Sequence, residues 1–347
     1  MSPTEDEQQQ REREERERVR QLEQQQQEQQ LVDGVAAESP LARTRARMCI
    51  CIGDVHGFVD KLQSLWDELQ RSLDANDFEH ASIVFLGDLV DRGPNTKDTL
   101  EWLSTLSTRH PHQRHVILAG NHDSSMMFFL GLVPAPEGFS FRSTWEHEHR
   151  YANSAKEGLW CGASNTPRES PDDADYQQAC AMHYQGRRWG GILPEYGDSV
   201  YDAAATFRSY GVRIGDREGL LRAMPPHHIQ VLRSMVCVHE EVLYGGWHVI
   251  AVHAGLESTK PVAEQLAMLH SWEAVARESR AAPLCDRSTV QFIPPELDNA
   301  TTFLVSGHFG FVATSHNRFI IDSCAGLKFS KLSALVLPSK IIIKSAI

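Results

Sequence analysis

The chain has 347 residues, with 34 Lys+Arg against 46 Asp+Glu, a formal net charge of −12 and 41% hydrophobic residues. So acidic a chain is a poor non-specific binder of nucleic acid or anionic membrane, and it is apolar enough to rule out wholesale disorder. No stretch approaches the ~18 apolar residues of a membrane span, and the N-terminus carries no apolar signal core. The seven Cys form no CxxC pair and read as reduced thiols of an intracellular protein, expected in the cytoplasm with the nucleus as a second compartment.

Residues 1–47 are a separate compositional class. Gln8 to Gln30 is almost entirely Gln, Glu and Arg, with Val19 and Leu22 its apolar residues. Such a segment cannot bury enough surface to offset its ordering entropy, so it reads as a flexible leader. From Met48 a rhythm begins. Residues 48–52 form a short apolar run ended by Gly53, the pattern of a buried strand. Phe58, Leu62, Leu65, Trp66, Leu69 and Leu73 follow at helical spacing. Residues 82–86 predict a second strand, Leu100, Leu103 and Leu106 a second helix, and residues 115–119 a third strand. Residues 131–245 are irregular and read as a mostly helical insertion that shapes a binding surface. Further strands are expected at 247–252, 302–305, 318–321, 332–337 and 341–343. This alternation predicts α/β layering in one catalytic domain, residues 48–347.

Five of the strand ends carry polar clusters: Gly53-Asp54-Val55-His56-Gly57, Gly87-Asp88-Leu89-Val90-Asp91-Arg92-Gly93, Gly120-Asn121-His122-Asp123, His253-Ala254-Gly255 and Gly307-His308. Ligands in such sheets bind beyond the carboxyl ends of the strands, so the clusters should converge. The residue types suit a dinuclear metal site. Asp54 and His56, two apart in an extended loop, can point onto one ion. Asp88 can bridge two ions, and Asn121, His253 and His308 complete the second. Carboxylate, amide and imidazole donors suit Mn, Fe or Zn, and a pair of such ions can activate a water and clamp a phosphoryl group. His122 can protonate a leaving oxygen, Asp91 can orient it, and Arg92 can hold phosphate oxygens bidentately. Most of the 17 His have other roles. His110, His112 and His115 read as a solvated loop and strand start, and His239-Glu240-Glu241 as solvated or at a helix end.

GDVHG, GDLVDRG and GNHD together resemble the signature of the metallophosphoesterases, specifically the phosphoprotein phosphatase branch. The aspartate ending GNHD, with Gln185-Gly186-Arg187-Arg188-Trp189 and Tyr201-Asp202-Ala203, resembles the bacterial-like Rhizobiales-like phosphatases of plants and protists. The resemblance covers roughly residues 48–344. It implies a calcineurin-like β-sandwich flanked by helices, with Asp54, His56 and Asp88 on one ion, and Asp88, Asn121, His253 and His308 on the other. It implies a His122–Asp91 acid pair and a second phosphate-binding arginine, for which Arg287 has the matching chain position ahead of Arg277 and Arg280. Leu89 replaces an aromatic of that pattern, Phe309 stands where close relatives tend to have a second histidine, and Asp322-Ser323-Cys324 stands near the place of a missing SAPNY loop.

The implied activity is that of a metal-dependent protein phosphatase acting on a phosphoprotein or phosphopeptide, with preference for phosphotyrosine and for doubly phosphorylated Thr/Tyr segments. Arg187 and Arg188 are candidates for gripping the neighbouring phosphate, against structural ion pairs as the bland alternative. Two other functions compete: a dinucleoside polyphosphate or other small-molecule phosphoesterase on the same metal site, and a non-catalytic phosphopeptide-binding module. A cysteine-based tyrosine phosphatase is excluded, because no Cys has an Arg six positions later. No nucleic-acid or membrane partner is expected, and the sequence names no regulatory subunit. Since the leader has nothing to bury, chains lacking residues 1–45 should melt at the same temperature and turn over substrate at the same rate as the parent. A large fall in melting temperature would contradict the leader reading.

Overall fold

Strand β1 (Cys49–Ile52) is buried along its whole length, which requires cover on both faces. Cys49 and Cys51 point to one side and Ile50 and Ile52 to the other, as the two-residue period of a strand dictates. In this computed structural model, residues 46–133, 189–190, 199, 201–278, 281–323 and 326–347 are described. Residues 1–45 of the predicted leader, most of the predicted insertion, Arg187, Arg188 and Arg280 lie outside them.

β1 pairs in parallel with β2 (Ser82–Phe85), which pairs in parallel with β3 (Arg114–Ile117). Two later antiparallel strands, β9 (Ser333–Leu337) and β10 (Ile341–Lys344), extend the sheet on the β1 side, giving the order β10-β9-β1-β2-β3. The second sheet has the order β4-β5-β6-β8-β7, built from β4 (Val238–Val242), β5 (His248–Val252), β6 (Thr302–Ser306), β7 (Val312–Thr314) and β8 (Arg318–Ile321). β5, β6 and β8 are parallel, while β4 and β7 are antiparallel edges.

The sheets pack face to face. Cys49, Cys51, Val84, Leu86 and Leu335 from the first meet Val249, Ala251, Phe303, Val305 and Phe319 from the second. The opposite faces are covered by helices. Helix α1 (Val59–Ser72) lays Leu62, Leu65, Trp66 and Leu69 over Ile50 and Ile52. Helix Val262–Leu269 covers Ile250 and Val252 on the second sheet. The molecule is therefore a mixed α/β sandwich flanked by helices, the predicted class. Among the described residues, no helix is long and apolar enough to cross a membrane.

Three details depart from expectation. The second helix is broken: α2 (Thr96–Ser104) ends where Ser104 and Thr105 hydroxyls donate back to the carbonyls of Glu101 and Trp102, and a separate turn covers Leu106–Arg109. β4 lies inside the span read as insertion, so the second sheet begins before residue 245. Its sequence, VHEEV, hides the strand, because three polar residues occupy its centre. Neither a helix end nor solvated throughout, His239 is buried and Glu241 half-buried in this strand, with nitrogen and oxygen 3.6 Å apart. β7, three residues long, was too short to show periodicity.

Phe303 stacks on Trp247 with ring centroids 5.0 Å apart and meets Phe319 edge-on, fully buried between the sheets. Phe303→Ala should therefore cost about 3–5 kcal/mol, read as a lower denaturant midpoint at unchanged slope. A loss below about 1 kcal/mol would place the core elsewhere.

Candidate active site

All the parallel strands end on the same side, and the predicted clusters meet there. Each arrives on a short turn just past its strand. Gly87 has φ 98°, and a Cβ on it would strike the backbone of Gly120; a Cβ on Gly120 would strike the Asp88 carboxylate and the His253 ring. Neither position can carry a side chain while the second and third motifs touch. The touching is fixed by Asp123, whose carboxylate accepts from Leu89 N at 3.0 Å and Gly120 N at 2.9 Å while capping helix α3 (Asn121–Leu130).

Asp88 is the common point. Its carboxylate lies 3.7 Å from His56 Nε2, 3.9 Å from His122 Nε2 and 3.4 Å from His253 Nε2. Two groups able to hold a metal share it: His56, Asp88 and His122, and Asp88, His253 and His308, all buried. The hydrogen bonds orient these rings. His56 Nδ1 donates to Val90 O at 3.0 Å and His253 Nδ1 to Leu86 O at 2.7 Å, which turns both Nε2 lone pairs inward. His253 Nε2 then faces Asp88, Asn121 Oδ1 at 3.3 Å and His308 Nδ1 at 3.2 Å. One proton on that nitrogen can serve one of these acceptors, whereas a divalent cation satisfies them together. The donor set thus fits the ion expected from the sequence on this side.

Asp54 behaves differently from the sequence reading. His56 has φ 47°, so the two residues do not form an extended pair. The Asp54 carboxylate instead accepts from the backbone N of His308 at 3.1 Å, tying the first motif to the last. It borders the cluster in which His56, Asp88 and His122 offer closely spaced donor atoms.

His122 Nδ1 donates to Asp91 Oδ2 at 2.8 Å. Asp91 is fully buried and held from two further sides, by Trp189 Nε1 at 2.6 Å and Thr206 Oγ1 at 2.7 Å. Tyr201 packs edge-on against the His122 ring at 5.0 Å. Arg92 donates to His56 Nε2 at 2.8 Å and His122 Nε2 at 3.2 Å, so its guanidinium occupies lone pairs that an ion on the His56 side would take. It also lines a cleft of about 560 Å³ with Arg208, Arg287, His308, Phe309 and Asp322. Arg287 reaches His308 O at 2.8 Å, while Arg277, the alternative considered, makes an exposed ion pair with Glu273.

Burial dominates the electrostatics. It pushes Asp54 well above the ordinary carboxyl range, with Asp322 and Asp88 adding to it. Burial also raises Asp91, against the bonds from Thr206 and Trp189. Asp88 is the exception: burial alone would raise it, but the imidazoles of His253, His122 and His56 hold it well below. His56 is drawn down to about 3 by burial and Arg92, and burial likewise keeps His122 neutral.

A family model, calcineurin-like phosphoesterase, matches residues 49–274, which hold every cluster except the final Gly307-His308. The chain belongs to this family. A curated relative, serine/threonine-protein phosphatase BSL2 of Arabidopsis thaliana, is 34% identical over 90 residues, 26% of this chain and 9% of that protein. The match therefore spans about a tenth of the relative's length. Among solved structures, the cold-active protein-tyrosine phosphatase of a psychrophilic Shewanella species aligns at 15% identity and TM-score 0.43, over 83% of this chain and 75% of that one. A protein proposed to be a diadenosine tetraphosphatase aligns at 15% identity and TM-score 0.41, over 86% and 93%.

In this phosphoesterase, the sequence reading missed Thr206, Arg208 and the bridging use of Asp123. Trp189 and Tyr201 lay in stretches that carried the resemblance but had no role assigned. Local pattern offers no signal for Thr206, since its partner is 115 residues away.

Asp123 is raised to about 6 by burial and by Asp88. A raised carboxyl contributes stability that is present below its ordinary value, about 4, and is lost as pH rises through about 6. In chelator-treated protein, Asp123→Asn should shift stability by a constant amount, because Asn cannot accept both N–H groups. Superimposed on that, the variant should gain on the parent between about pH 4 and 6, read from denaturant melts across pH. A pH-independent difference would contradict the raised value.

Proposed function

We propose that this phosphoesterase is a metal-dependent protein phosphatase of the phosphoprotein phosphatase branch, similar to its Rhizobiales-like members. The proposed substrate is a phosphopeptide, with preference for phosphotyrosine, alone or beside a phosphothreonine. The observation that carries the reading is the His122–Asp91 pair, 2.8 Å apart, set against Asp88 and beside Arg92, which lines a cleft with Arg208 and Arg287.

Asp54, His56, Asp88, Asn121, His253 and His308 are the residues proposed to hold two divalent ions of Mn, Fe or Zn. Bound there, the ions would lower the pKa of a water and neutralise phosphoryl oxygens. The remaining work falls to the chain. Arg92, at the cleft mouth, can turn its two donors from the imidazoles to phosphoryl oxygens, and Arg287 and Arg208 add positive charge on the facing wall. A phosphoryl dianion so held raises the proton affinity of His122, countering the burial that keeps the ring neutral. His122 then gives a proton from Nε2 to the leaving oxygen. Asp91 fixes the ring by its Nδ1 bond, and Trp189 and Thr206 fix Asp91. Arg187 and Arg188, the sequence candidates, are proposed to grip a second phosphate of the substrate.

Comparing turnover of a phosphotyrosine peptide with that of a dinucleoside polyphosphate tests the substrate class; faster hydrolysis of the polyphosphate would favour the small-molecule reading. His122→Asn should lower kcat on alkyl phosphates by about 10²–10⁴-fold, and by much less on nitrophenyl phosphate, whose leaving group needs little protonation. Metal content should be affected far less than rate. Equal losses on both substrates would remove His122 as the acid.

A further inference from the structure

Outside the catalytic cleft, a third metal-capable cluster joins two helices: Glu101 of α2 with His227 and His228 at the start of helix Pro226–Arg233. Both imidazoles reach a single oxygen, Glu101 Oε2, His227 Nε2 at 2.8 Å and His228 Nε2 at 2.9 Å. Consecutive residues of a helix point about 100° apart, so two rings meeting at one atom is not what helical geometry supplies by itself. The rings pack edge-on with centroids 4.6 Å apart.

His228 is the anchor. Its ring is fully buried and its other nitrogen, Nδ1, is 2.8 Å from the hydroxyl of Tyr210. If Nδ1 carries the proton and donates to Tyr210, Nε2 presents its lone pair to the cluster, the arrangement by which outer partners orient metal-binding imidazoles. His227 and Glu101 are 46% and 54% exposed, so the cluster has an open side. His227 also borders a depression of about 670 Å³.

We propose that Glu101, His227 and His228 form a zinc site, with two imidazoles and one carboxylate as ligands and a fourth position open to solvent. Imidazole and carboxylate donors suit zinc, and three protein ligands with one open position is an established zinc arrangement. Ligand atoms about 2.0–2.1 Å from a tetrahedral zinc lie roughly 3.3 Å from one another. The two imidazole–carboxylate spacings, 2.8 and 2.9 Å, need to open by about half an ångström, and all three donors already lie within 4.8 Å of one another. The ion would clamp α2 to the later helix. Tyr210 directly follows helix Ala204–Ser209, which carries Thr206, the residue bonded to Asp91. The site therefore braces the support of the catalytic pair without touching it, and it stands whether or not the proposed substrate is right.

The test counts zinc on the full chain after chelation and equilibrium dialysis against Zn²⁺. His227→Ala, a change at a half-exposed residue, should bind one ion fewer per chain than the parent, while its metal-free melting curve and circular dichroism stay those of the parent. Tyr210→Phe keeps all three ligands and should weaken this one ion by about 10–100-fold. Equal zinc counts and affinities in parent and His227→Ala would overturn the proposal and leave the cluster as a pair of hydrogen-bonded imidazoles. Unchanged affinity in Tyr210→Phe would overturn the role given to the tyrosine.

Discussion

A single buried carboxylate, Asp88, holds the strand ends of both sheets together. It is 2% exposed, and three imidazoles surround it within 3.9 Å. His56 follows β1, His122 follows β3, and His253 follows β5 in the other sheet. Burying a charge among apolar strands is costly unless opposite charge meets it. Here the compensation comes from both sheets: Asp88 raises the proton affinity of the His253 ring against its burial, and the backbone N–H of His122 donates to the carboxylate at 3.0 Å. Asp123 ties the second motif to the third, and Asp54 ties the first to the last.

That convergence is bought with backbone strain. His56, Asp88, Asp91, Arg92 and His308 all have φ between 47° and 72°, a region that side chains other than glycine seldom adopt. Each such residue costs of order 1–3 kcal/mol. Apart from these, Asp202 and Lys340 are the described non-glycine residues with positive φ, and the carbonyl of Asp202 receives the backbone N–H of Arg92. Strain is thus concentrated where the side chains must be aimed, while the sheets and α1 bear the stability. The sandwich core of Phe303, Phe319 and the facing β1 and β2 residues keeps the strand ends in register against that strain.

Much of this was legible in the chain. Alternating apolar strands and helices, each strand closed by glycine and an acid or histidine, revealed the α/β layers and the meeting of motifs hundreds of residues apart. Strand ends read well because strand burial and glycine turns are local. What failed to read was long-range. The bond that aims Asp54, from a backbone N–H 254 residues later, has no trace in its local pattern. Thr206 and Arg208 sit in a short helix whose composition announces nothing. β4 was hidden because an edge strand tolerates the polar run His239-Glu240-Glu241, whose buried histidine and half-buried Glu241 meet only in three dimensions. Arg187 and Arg188 remain a reading of sequence, outside the described residues.

The central claim is that the acceptors converging on Asp88 hold a pair of divalent ions with this carboxylate between them. Anomalous diffraction from crystals of the full chain loaded with manganese tests it most directly. Two peaks should flank Asp88, one on the His56 side and one among Asn121, His253 and His308. A single peak, or peaks that leave Asp88 outside the coordination of either ion, would contradict it.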